Sequence, residues 1–110
     1  MFVMPLEIIK ELQELTNENR RGVEYLKEAE DRLAYAENRL DTEEAHAFLA
    51  EEGSVAERTA KAKLSAAEAR LARDLAKAEV NRIRMKLRVI ESAIMAQATM
   101  SKIMQAEMKL

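Results

Sequence analysis

Lys63, Arg70, Lys77 and Arg84 recur every seven residues, with Arg73 and Arg88 alongside, so a helix carrying them lines up six cations on one face. Such a ridge performs no bond chemistry. It holds polyanions, phosphates above all, through charge, with salt-sensitive affinity and little sequence preference. The competing use is internal: Glu30, Glu37 and Glu44 form a seven-residue ladder of their own, and coiled-coil flanks commonly pair such rows. Glu91 interrupts the ridge, and the basic arm has no aromatic residue on which bases would stack.

Residues suited to catalysis or metal binding are sparse. His46 is the single histidine and follows Glu43 in a Glu-x-x-His spacing, but di-iron bundles need a second such motif on a facing helix. A solvent-facing side chain near a hairpin tip is the reading for His46. Two glycines and one histidine leave no nucleophile elbow, phosphate-binding glycine loop or triad. The expectation is a non-enzyme with no catalytic residue, metal site, cofactor or small-molecule substrate. With no cysteine, disulfides and thiolate-bound metals are excluded.

The elements that must position the ridge follow from composition. Nineteen alanines against two glycines and one proline favour helix almost throughout 110 residues, and the scarcity of large aromatics predicts a thin core. Gly53 ends one helix and Ser54, followed three residues later by Glu57, opens the next as a capping box. So short a turn makes the two helices antiparallel neighbours. It also divides the charge. Residues 1–54 carry 6 cations and 14 anions, a net of −8, and residues 55–110 carry 12 and 6, a net of +6.

The fold class expected is therefore all-α: an antiparallel, coiled-coil-like helical hairpin with a short N-terminal helix, assembling into a homo-oligomer. The N-terminal helix is placed at 1–18, since Thr16 to Asn19 offers caps and Gly22 weakens helix. An acidic helix follows over 19–52, a turn at 53–54, and a basic helix over 55–110, all one domain. On the acidic helix Leu26, Ala29, Leu33, Ala36 and Leu40 alternate spacings of three and four, a coiled-coil seam; Tyr25 and Tyr35 are read as packing residues.

Two apolar faces emerge on the basic helix. Ala60, Leu64, Ala67, Leu71, Leu75, Ala78, Met85, Val89, Ala96, Met100 and Ile103 are expected to pack on the acidic helix. With that register the cations face Arg32 and Arg39, so the ridge is not neutralised within the hairpin. The remaining face, Val80, Ile83, Leu87, Ile90 and Ile94, is assigned to an oligomer interface together with Met100, Ile103 and Met104. Met85, Met95, Met100, Met104 and Met108 make that end plastic, suited to packing against other helices.

Residues 56–65 (AERTAKAKLS), 86–92 (KLRVIES) and 100–108 (MSKIMQAEM) resemble small phage proteins of the UvsY type, over roughly half the chain. That family comprises recombination mediators, ring-shaped homo-oligomers that bind single-stranded DNA and contact recombinase and single-strand-binding protein. The resemblance implies that Lys63, Arg70, Arg73, Lys77, Arg84 and Arg88 hold DNA and that the Met/Ile-rich end builds the assembly. It does not account for the acidic arm. A structural coiled-coil scaffold is the alternative, as is a small phage protein that inhibits a host protein. The longest charge-free stretch, Ser92 to Ser101, is too short to span a bilayer and the N-terminus does not read as a secretory leader. The expected location is cytoplasmic, the host cytoplasm for a phage product.

Overall fold

A computed structural model describes residues 5–109, and they are helical apart from short connections. The helices are α1 (Pro5–Ala50), α2 (Val55–Ser65) and α3 (Ala67–Met108). The chain forms two compact units: one joins the part of α1 up to Leu26 with α3 from Ile83 onward, and the other is Lys27–Arg82.

The expected boundary after residue 18 is absent, because α1 runs unbroken through it. Each supposed helix-weakening residue has another use. Thr16 donates its hydroxyl to the Leu12 carbonyl at 2.7 Å, bonding within the helix instead of capping a new one. Asn19 turns inward. Gly22 sits where a Cβ would lie 2.6 Å from the Cδ2 of Leu87, so its lack of a side chain permits close approach of two helices.

The hairpin lies in the Lys27–Arg82 unit. Gly53 adopts φ 118°, open to glycine at little cost, and Ser54 caps α2 by accepting from the Glu57 amide at 3.2 Å. Arg58 closes the tip: its guanidinium carbon lies 4.2 Å from the centre of the Phe48 ring and its Nε donates to the Phe48 carbonyl at 3.1 Å. Cross-helix ion pairs Arg32–Glu79, Glu44–Arg70 and Glu51–Lys61 run in opposite order along the two arms, which makes them antiparallel.

The second arm is interrupted at Ala66, with φ −95° and ψ 12°, so the single helix expected over 55–110 is two. The chain still runs on: the Ala66 amide donates to the Ala62 carbonyl and the Arg70 amide to the Ala66 carbonyl. Arg70 also caps the joint from its side chain, Nη1 donating to the Lys63 carbonyl at 3.2 Å while Nη2 holds Glu44 at 2.7 Å.

The seam uses the face opposite to the one expected. In the Lys27–Arg82 unit the buried residues are Ala29 and Leu40 on α1, and Ala62, Ala66, Ala69 and Val80 on the second arm, with Leu40, Ala66 and Ala69 in one cluster. Ala66 and Ala69 expose no surface at all, so small residues here let the helix backbones approach closely. Leu64, Leu71 and Leu75, expected inside, are 60 to 78% exposed. Tyr25 and Tyr35 are likewise exposed instead of packed.

The other unit fills its seam with larger side chains. Ile8 is buried on α1, with Leu87 and Ile90 on α3, while Ile83, Ile94 and Met104 are half-buried. Pro5, Ile8 and Ile9 line a groove of about 180 Å³ with Ser101, Met104 and Met108, and Gly22 meets Leu87, so this pair is also antiparallel. Two amide oxygens, Asn19 Oδ1 and Gln97 Oε1, are buried without a hydrogen-bond partner among the described residues. Of the residues assigned from sequence to an oligomer interface, Val80, Leu87 and Ile90 are buried within the chain, Ile83, Ile94 and Met104 are half-buried there, and Met100 and Ile103 are exposed.

Candidate nucleic-acid interface

The helical period does place Lys63, Arg70 and Lys77 along one side of α2 and α3 in the Lys27–Arg82 unit, at one edge of the inner seam. Their availability differs residue by residue. Arg70 is committed to Glu44 and to the Lys63 carbonyl. Arg73, only a third exposed, has its Nε on Asp74 at 2.7 Å. Among the described residues no carboxylate lies within ion-pair distance of Lys63 or Lys77, and both are exposed. In the other unit Arg84 is engaged within the protein, whereas Arg88 is exposed and has no ion pair among the described residues.

These partners correct the expected register. Shifting the seam from Leu64 and Leu71 to Ala62, Ala66 and Ala69 carries the cations from the arginine side of α1 to its glutamate side. Arg70 accordingly meets Glu44, one rung of the acidic ladder, and Arg32 meets Glu79 instead of a cation. Arg39 bonds Glu43 one turn on at 2.9 Å, and that hydrogen bond and charge hold its guanidinium above its ordinary pKa. The energetic weight of these pairs is modest. The best of them, Glu44–Arg70, is about one-third exposed on both sides, which places it near ~1 kcal/mol.

The joint at Ala66 and the Arg58–Phe48 clamp were not foreseen from the sequence. Arg58 does follow the capping box at the tip, and its distance from Phe48 along a short antiparallel turn is the signal that would have found it.

Among the described residues no group of three histidine or acidic side chains is placed to hold a metal, and His46 is solvent-exposed. No described helix is long and apolar enough to cross a membrane. What the exposed cations can do is bind anions without bond chemistry, by charge alone. No protein family, curated protein or solved structure matches this chain.

Proposed function

We infer that the protein is a non-enzymatic accessory factor of DNA recombination that holds single-stranded DNA electrostatically on the surface of a homo-oligomer and assists the loading of a recombinase. The observation that carries this reading is that three cations of the seven-residue ridge and its flank, Lys63, Lys77 and Arg88, are exposed and have no ion pair among the described residues. The UvsY-type resemblance of the same arm supports single-stranded DNA as the polyanion, with recombinase or single-strand-binding protein as further partners. One chain offers three such cations and no stacking aromatics on that arm, so repetition in an oligomer supplies the multivalency.

A structural scaffold is the second reading, favoured by Arg70 and Arg73 being spent on Glu44 and Asp74. Fluorescent single-stranded oligonucleotide titrations over a salt series separate the two. Replacing Lys63, Lys77 and Arg88 together by Gln should weaken binding and flatten the log–log salt dependence by about 2 for each copy engaged, at about 0.7 per lost phosphate contact. Unchanged affinity and slope in that variant would exclude these cations as the DNA contacts.

A further inference from the structure

In the unit formed by the start of α1 and α3 from Ile83, the outward side of α3 carries a second apolar seam. Met85, Val89, Ser92, Ala96, Thr99 and Ile103 follow spacings of four, three, four, three and four, which is the spacing of a coiled-coil contact face. All six are exposed, and Met95 and Met100 flank the stripe. Val89 and Met95 are 69 and 70% exposed, so none of the described residues covers this side.

We propose that this stripe is a two-fold interface with a second copy of the same chain. The inference rests on the assembly proposed above and assigns it to a surface other than the Val80–Ile94 face. Three features favour a second copy over an unlike partner. The stripe's centre lies in Ser92–Ser101, ten residues without a charge in a chain whose charged content, 35%, would place about three or four there. A two-fold contact sets each patch against itself, so a charged patch repels its own image while a neutral one does not. Charges that border the stripe, Arg88 beside Val89 and Lys102 beside Ile103 among them, lie outside that neutral centre.

Small residues at Ser92, Ala96 and Thr99 form a shallow row between larger side chains, the relief that two helices crossing closely interlock. The Thr99 hydroxyl already donates to the Met95 carbonyl at 3.0 Å, so covering it strands no donor. The stripe with its two flanking methionines offers on the order of 500 to 600 Å² per copy, or roughly 1,000 to 1,200 Å² in total, the size of a weak, reversible interface.

The absence of native cysteine makes the test direct. Under mild oxidation Ala96→Cys should give a disulfide-linked dimer, while Tyr35→Cys, on the exposed side of α1, stays single. By analytical ultracentrifugation over a concentration series, Ala96→Glu should reduce the assembly to a smaller species with its helical circular dichroism retained. A native protein that is monomeric throughout, an Ala96→Glu protein that associates as the native one does, or equal cross-linking of both cysteine variants would overturn the proposal. Normal association without oligonucleotide binding would instead remove the DNA reading and leave this interface standing.

Discussion

Truncating Val80 and Leu75 separately tests which side of the second arm faces α1. Val80 is 1% exposed and Leu75 is 63% exposed. Val80→Ala removes two buried methyl groups, about 1.6 kcal/mol at ~0.8 each, and incomplete closure of the gap adds up to about 1. The gain in helix propensity returns about 0.6, leaving a loss of about 2 kcal/mol. Leu75→Ala removes three carbons, but only about a third of that surface is covered, so the loss is about 0.8 before ~0.2 of propensity is regained. Urea unfolding followed by circular dichroism, at protein concentrations low enough to suppress association, should therefore show roughly a threefold difference in destabilisation. A Leu75 loss equal to or larger than that of Val80 would refute the assignment of the inner seam.

Two further outcomes follow from particular contacts. Ser54→Ala removes the cap on Glu57 and should lower stability by about 1 kcal/mol in thermal melts; an unchanged melting point would mean the cap carries no weight. Asn19→Leu replaces a buried, unpartnered amide oxygen by an apolar side chain and should stabilise the protein by about 1 to 2 kcal/mol in urea unfolding. A loss of stability there would instead mean that the amide makes compensating contacts or that leucine is too large for the site.

The legible part of the fold was its punctuation. Gly53, Ser54 and Glu57 encode a turn and a cap through local chemistry alone, and α2 begins at Val55 as they dictate, while α1 stops at Ala50, two residues before the expected 52. The α1 seam from Ala29 to Leu40 was equally readable, since one apolar stripe crosses an otherwise polar helix. The second arm offered two stripes, and hydrophobicity favoured the wrong one: Leu64, Leu71 and Leu75 outrank Ala62, Ala66 and Ala69 in transfer energy. Alanines prevail inside the Lys27–Arg82 unit because small side chains permit close backbone approach, a property of the pair of helices and not of either alone.

The same shift of seam explains what was misjudged at the candidate site. Seven-residue spacing sets Lys63, Arg70 and Lys77 along one side, but which acids they face depends on register, and register followed the inner stripe. Glu44 reaches Arg70 for that reason. Thr16, Asn19 and Gly22 misled for a related one: polar and small residues signal helix ends locally, yet tertiary context uses them for an internal hydroxyl bond, a seam position and a close approach.

The central functional claim is that cations left outside the internal ion pairs hold single-stranded DNA. Titration of the native protein with a fluorescent single-stranded oligonucleotide, from low to physiological salt, addresses it most directly. The account predicts binding at low salt that weakens log-linearly, with a slope of about −2 for each copy engaged if its Lys63, Lys77 and Arg88 each meet one phosphate. No binding at low salt, or binding indifferent to salt, would contradict it.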